Sequence, residues 1–244
     1  VIGVPSNLST SSSARSVYLA TLTQELMGAR LSLPLVAVLL VTVPVFVQAP
    51  LVRLAPMAAA LFTVPLAGIA VVLEQRGRGA LRDLGVLLVG FSGSWLGGSL
   101  FWGWCRAHPL WHLPIEAFAL PLAIAGLSSR WRLAASFYLA SLLGTALTDG
   151  VMALTGVMRF WPQVVAAPLP EAPSLLQSAA AVVIQPRPMA VLLLSGCLLA
   201  QASRLLWQRK EIARVAAATL ATTLAVDGVF LLLALLAPGL SGLI

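Results

Sequence analysis

The sequence predicts an all-α fold: a polytopic transmembrane helical bundle of about seven spans with one short re-entrant or interfacial helix. Three observations predict it. First, the 244 residues are 59% hydrophobic and only 9% charged, whereas a soluble domain carries about 25% charged residues. That apolar surplus is too large for one aqueous core, so lipid must solvate most side chains. Second, long apolar runs recur along the chain, separated by short polar loops. Third, the basic residues fall unevenly between those loops. Arg15, Arg30, Arg76, Arg78, Arg82, Arg130, Arg132, Arg204, Arg209, Lys210 and Arg214 collect in alternate loops, leaving Arg53, Arg106, Arg159 and Arg187 for the others. That split is the positive-inside pattern of a multi-pass membrane protein. It sets the N-terminus in the cytoplasm and the C-terminus outside.

Residues 1–30 read as a flexible Ser/Thr-rich tail, within which Leu19, Leu22 and Leu26 have the spacing of a short interfacial helix. Residues 31–244 read as a single transmembrane helical domain. The first span is Leu31–Ala49. Val47-Gln48-Ala49 has some likeness to a signal-peptidase site, but Pro50 follows directly, so the segment reads as a retained anchor. Pro34 and Pro44 are tolerated in a membrane helix, and Pro44 is expected to kink it. The second span is Leu54–Leu73 and the third Leu84–Trp104. The fourth, Pro114–Leu127, is short for a crossing, and the fifth is Leu133–Leu154. A proline-rich link at 156–173 leads to residues 174–185, which give roughly 18 Å of helix against a ~30 Å core. This piece is therefore the re-entrant or interfacial one. Met189–Trp207 and Ile212–Ala237 complete the seven. Trp102, Trp104, Trp111 and Trp161 then gather on the outer side, with Trp131 and Trp207 on the inner, as aromatic belts.

The net charge of +7 does not indicate nucleic acid, because the basic residues sit at segment ends and form no stripe. They suit anionic headgroups of the bilayer. Cys105 and Cys197 read as two packed thiols. No Walker loop, nucleophile elbow, HExxH or CxxC occurs, so no catalytic residue, metal ligand or cofactor is assigned.

Three features bear on chemistry. Asp149 lies roughly 25 Å along a helix from Arg132, and Asp227 roughly 20 Å from Arg214, which places both in the outer half of the membrane. A carboxylate at the hydrocarbon centre costs about 3 kcal/mol on insertion scales, so each needs a counter-charge, a proton or water. Thr145-Ala-Leu-Thr-Asp149-Gly150-Val151 resembles Thr223-Leu-Ala-Val-Asp227-Gly228-Val229. The likeness is either a parallel internal repeat, 114–154 and 189–237, or a coincidence of Ala/Leu/Thr-rich helices. The two acids either bind a cation or proton, or pair with Arg106, Arg53 or Arg159. Second, His108, His112 and Glu116 are spaced by four and share a face on an unbroken helix. Pro109 and Pro114 interrupt it, so an ordered outer loop held by an Arg106–Glu116 or His112–Glu116 contact is favoured over a metal site. Third, Gly93, Gly97 and Gly98 with Ser94, Ser99 and Gly103 form a small-residue ridge, suited to packing inside the protein or to a homo-oligomer or membrane-protein contact.

The stretch Phe101-Trp-Gly-Trp-Cys-Arg106 with His112-Leu-Pro-Ile-Glu116-Ala resembles a family of polytopic membrane proteins from cyanobacteria classed as a domain of unknown function. The run Pro44-Val-Phe-Val-Gln-Ala-Pro50-Leu-Val-Arg53 and the segment Phe160-Trp161-Pro162 add to the likeness, which covers the chain from about Leu31 on. Cys105 departs from it, standing where a larger apolar residue is expected. The resemblance implies a photosynthetic prokaryote and a plasma or thylakoid membrane, and it carries no activity. Three functions compete on the residues: a small-solute or ion transporter using Asp149 and Asp227 with Glu116, His112 and Arg106 at the outer mouth; a non-enzymatic assembly or scaffold protein of a photosynthetic membrane; and a membrane enzyme acting on a lipid, quinone or pigment.

Overall fold

The computed structural model describes residues 32–168 and 170–240. The expected tail and interfacial helix, with Arg15 and Arg30, lie outside the described residues. Every regular element among the described residues is helical. Among the described residues six helices are long and apolar enough to cross a membrane: Leu33–Leu54, Pro56–Arg76, Ala80–Cys105, Arg132–Leu154, Pro186–Trp207 and Glu211–Leu236.

The first, α1 (Leu33–Leu54), holds Pro44 and Pro50 inside it and extends past the expected boundary at Ala49. In lipid, leaving the helix exposes backbone groups that water cannot reach, so a proline inside is the smaller cost. The chain breaks instead at Ala55, whose φ of −148° and ψ of 70° are set by the following Pro56. The second crossing consists of α2 (Pro56–Leu61) and α3 (Thr63–Arg76). The third is α4 (Ala80–Leu100), prolonged by a π-helical turn, Phe101–Cys105.

The expected fourth span is not one helix. Residues 109–126 form a 3₁₀ turn (Pro109–Trp111), α5 (His112–Glu116), a second 3₁₀ turn (Ala117–Ala119) and α6 (Leu120–Gly126). Pro109, Pro114 and Pro121 each sit in the first turn of a piece, where the missing N–H has no intrahelical acceptor to lose. A helix continuing from the preceding residues would lose a hydrogen bond at each of them, a loss that α1 accepts at Pro44 and Pro50 and that the chain avoids here by breaking. The chain continues with α7 (Arg132–Leu154), α8 (Trp161–Ala166), α9 (Ala172–Val183), α10 (Pro186–Trp207) and α11 (Glu211–Leu236). Helix α9 is the short apolar piece expected near 174–185. It stops because Gln185 precedes Pro186 and is extended, at ψ 151°.

Contacts along each helix fix its direction. Leu33 and Ala37 of α1 share a core with Val86 and Leu87 of α4. Further along both helices, Gln48 Nε2 donates to Trp95 O and to Ser99 Oγ, each at 2.7 Å. Gly90 of α4 seats against the Ala134 backbone of α7, and Gly93 against the Tyr138 ring. Gly144 of α7 faces Thr223 of α11, and one turn on Thr148 meets Asp227. Helices α1, α4, α7 and α11 therefore run parallel, and since α11 also packs on α1 they close into a ring. At their starting end the ring encloses a dry core of Leu33, Ala37, Leu87, Phe91, Phe137, Val215 and their neighbours.

The other elements run back outside the ring. Phe62 lies tilted against Trp95 while Gly85 abuts the Glu74 backbone, so α2–α3 is antiparallel to α4. Segment 109–126 is antiparallel to α7: His112 meets Asp149, Glu116 meets Thr145, and Gly126 meets Ala135. The broken segment thus retraces about 21 Å of α7. Helix α10 is antiparallel to α11, with Ser203 Oγ donating to Ala217 O at 2.7 Å and Gly196 near Leu224. Arg76, Arg78, Arg82, Arg130, Arg132, Arg204, Arg209, Lys210 and Arg214 consequently share the starting end, here the basic end. Arg53, Arg106, Arg159 and Arg187 lie at the far end, where α9 packs on the turns Val157–Phe160 and Pro238–Leu240. At the basic end, buried Glu74 is shared between Arg82 at 3.6 Å and Arg130 at 3.5 Å.

Candidate functional site

Buried polar side chains recur along the ring, Thr219 and Thr222 of α11 among them, and those that gather into a cluster lie past the midpoints of α7 and α11, toward the far end. On α7, Thr145, Thr148 and Asp149 are three and four residues apart and form one stripe. The antiparallel α5 presents His112 and Glu116 to that stripe, again four residues apart. Asp227 arrives from α11.

His112 lies between two carboxylates. Its Nδ1 is 3.1 Å from both Asp149 oxygens, and its Nε2 is 3.2 Å from Glu116 Oε1. The side chains are 11% (His112), 13% (Asp149) and 17% (Glu116) exposed, so water reaches them only at an edge. Thr145 Oγ1 donates to Glu116 Oε2 at 2.9 Å. Thr148 Oγ1 donates to Asp227 Oδ2 at 2.5 Å and also lies 3.1 Å from Gly144 O. For both ring contacts to be hydrogen bonds, each nitrogen must carry a proton, or one carboxyl must carry it instead.

The packing explains why the imidazole stays there. The π-helical turn brings Phe101 onto the His112 ring, stacked at 4.2 Å between centroids. Trp102 and Trp161 flank it at 5.9 and 5.5 Å and stack on each other. An extra residue in a helical turn re-aims the side chains after it, which is why π turns recur beside functional groups. On the other side, Gly97 leaves room for the Glu116 backbone, since a Cβ there would sit 3.1 Å from Glu116 Cα. Where the helix breaks after Glu116, Tyr138 supplies the bonds that the backbone loses. Its hydroxyl donates to Glu116 O and accepts from the Ala119 N–H.

Of the residues singled out in the sequence, Glu116, His112 and Asp149 meet directly, and Asp227 joins through Thr148. Arg106 does not join them by charge: its carbonyl accepts from Trp161 Nε1 at 2.7 Å, and its guanidinium makes no ion pair among the described residues. The expected alternative, in which Asp149 or Asp227 pairs with Arg53, Arg106 or Arg159, is not what forms. Among the described residues no Lys or Arg lies within ion-pair distance of Glu116, Asp149 or Asp227. The arginines end their helices at the far surface, while the acids sit deeper between helices. His108 is exposed, ahead of the first 3₁₀ turn, and does not reach the cluster. Gly93, Gly97 and Gly98 face Tyr138, Glu116 and Gln48 of the same chain. Sequence reasoning missed Tyr138 and the aromatic shell of Phe101, Trp102 and Trp161. Trp102 and Trp161 were legible only as members of an interfacial aromatic belt.

A family model described as "Protein of unknown function (DUF3120)" matches residues 37–235. The chain belongs to that family. The match runs from Ala37 in α1 to Leu235 in α11, so nearly all of the ring, the broken segment and the His112 cluster lie within the DUF3120 region. No curated protein matches the chain, and no solved structure matches it.

Three carboxylates and one imidazole share this site without a fixed cation. With the acids ionised and the ring doubly protonated, two negative charges remain. A low-dielectric interior resists that state. Uptake of a proton or a small cation would reduce that charge.

Proposed function

We propose that this DUF3120 chain is a multi-pass membrane carrier that couples a proton or small cation to movement of a small solute. In this reading the broken segment 109–126 is a seventh crossing, α9 lies at the outer surface, and the basic end with the N-terminus faces the cytoplasm. The single observation that carries the reading is the cluster of Glu116, His112, Asp149 and Asp227 between helices, with no Lys or Arg partner among the described residues. Acidic groups at such depth are costly, and they recur on ion and proton pathways. The discontinuous helix beside them supports the same reading, because broken helices line transporter sites.

The test is flux into liposomes holding the full-length chain and loaded with pH-sensitive and sodium-sensitive dyes. A panel of amino acids, sugars and small organic ions is added outside. Solute-dependent ion entry is expected in the wild type, falling to the level of empty vesicles when Asp149→Asn and Asp227→Asn are combined. Equal flux in the double variant removes the carboxylates from coupling.

A further inference from the structure

Resting on that reading, we infer that the coupling ion is a proton, and that His112 hands it from Asp149 to Glu116. A metal cation held by these acids needs their oxygens free and directed at one point. Here the imidazole already occupies the space between Asp149 and Glu116, with one nitrogen turned to each. The remaining Glu116 oxygen accepts from Thr145 and one Asp227 oxygen from Thr148. Among the described residues no set of three or more His, Cys, Asp or Glu is arranged to hold a metal ion. The ring takes the cation's place and offers each carboxyl group a nitrogen that gives or takes a proton.

The depth of the groups gives the transfer a direction. Glu116 sits opposite Thr145, one helical turn nearer the basic end than Asp149, or about 6 Å. In the loaded state Asp149 is a carboxylic acid, and the ring is neutral with its hydrogen on Nε2. The Asp149 proton passes to the Nδ1 lone pair while the Nε2 proton passes to Glu116 Oε1. The products are an Asp149 carboxylate, a ring with its hydrogen on Nδ1, and a Glu116 carboxylic acid. One proton has moved one turn inward, and total charge is unchanged. The two nitrogens of an imidazole suit such a shuttle. Stacking on Phe101, with Trp102 and Trp161 beside it, holds the ring plane so that each nitrogen stays on its own carboxylate.

The chain has two histidines, so ¹⁵N-histidine labelling of the full-length protein in lipid nanodiscs gives two imidazoles, and His108→Gln assigns them. Asp149→Asn is expected to move chiefly the Nδ1 signal of His112, and Glu116→Gln chiefly the Nε2 signal. Both signals respond to pH, and neither shifts when sodium or potassium replaces N-methylglucamine at constant ionic strength. A saturable shift with sodium or potassium overturns the relay while leaving cation coupling in place. Indifference of both nitrogens to both variants also overturns it. If the signals behave as expected while wild-type vesicles show no solute-dependent ion entry, the carrier reading fails and the relay stands.

Discussion

His112→Ala tests the centre of the site most directly, because one ring serves two acids. Its removal leaves Asp149 and Glu116 facing each other at 13% and 17% exposure. Breaking a buried pair by removing one member costs about 3–5 kcal/mol. Edge access to water and protonation of one acid pull the value toward the lower figure. Asp149→Asn keeps an oxygen that accepts from Nδ1 and loses the charge, so its cost is smaller, about 1.5–3 kcal/mol on the scale of a hydrogen bond to a charged group. Combined, the two changes leave no Asp149 charge for His112 to neutralise. The double variant should therefore be more stable than additivity predicts, by about 2 kcal/mol. That is a factor of roughly thirty in the unfolding equilibrium. The assay is unfolding of the purified chain in mixed micelles of rising SDS fraction, followed by tryptophan fluorescence, with Trp102 and Trp161 reporting beside the ring. His112→Ala combined with Glu74→Gln at the basic end is the control, and these should add within about 0.5 kcal/mol. A His112–Asp149 coupling no larger than that control refutes the contact.

Two further comparisons between variants test the ring and its basic end. A Cβ at Gly90 would lie 2.4 Å from the Ala134 carbonyl, whereas one at Gly150 meets nothing within 4 Å. Gly90→Ala should therefore destabilise by at least the 1–3 kcal/mol typical of overpacking, and Gly150→Ala should gain about 0.5–1 kcal/mol of helix propensity. The same SDS titration reads both, and similar midpoints would contradict the α4–α7 seat. Glu74 is buried while Arg82 and Arg130 are 52% and 64% exposed, so Glu74→Ala should cost less than Arg82→Ala and Arg130→Ala combined, because each arginine retains water when its acid is gone, whereas Glu74 without both arginines is a buried unpaired charge. Equal losses in thermal unfolding would deny Glu74 its role as the shared centre.

The long helices and their direction were legible from residue types alone. Lipid demands continuous apolar runs, and Arg76, Arg82, Arg130 and Lys210 mark the loops that gather at one end. The boundary at Ala49 was misplaced because Pro50 reads as a break in water, while in this bundle the helix runs on to Leu54. Segment 109–126 was legible as short and proline-ridden, and the sequence spacing of His112 and Glu116 survives in α5. The acids' surroundings were not legible. Arginines were the natural candidates by charge, yet the group that meets Asp149 is an imidazole on a different element, and the group that meets Asp227 is a neutral threonine across a helix interface. Those choices depend on the register of α5 and α11 against α7, which Gly97, Gly144 and the Tyr138 hydroxyl set through tertiary packing.

Why the polar groups share one depth follows from the ring itself. Four parallel helices that start together at the basic end convert distance along the sequence into depth. Gln48 and Ser99 sit well along α1 and α4, Thr145, Thr148 and Asp149 well along α7, and Asp227 well along α11. Each helix spends its first turns on residues such as Ala37, Leu87, Phe137 and Val215, all 1% exposed or less. The hydrophobic effect and close packing thus seal one half of the bundle. Hydrogen bonds to Gln48, Ser99, Thr145 and Thr148 make the other half tolerable for side chains that lipid would reject. A helix running the other way could not add to this polar layer with an acid placed late in its sequence. The broken segment meets that constraint by carrying His112 and Glu116 early, in its first pieces, so that they arrive opposite Asp149 and Thr145. The antiparallel sense of that one element therefore accounts for an imidazole near residue 112 meeting a carboxylate near residue 149.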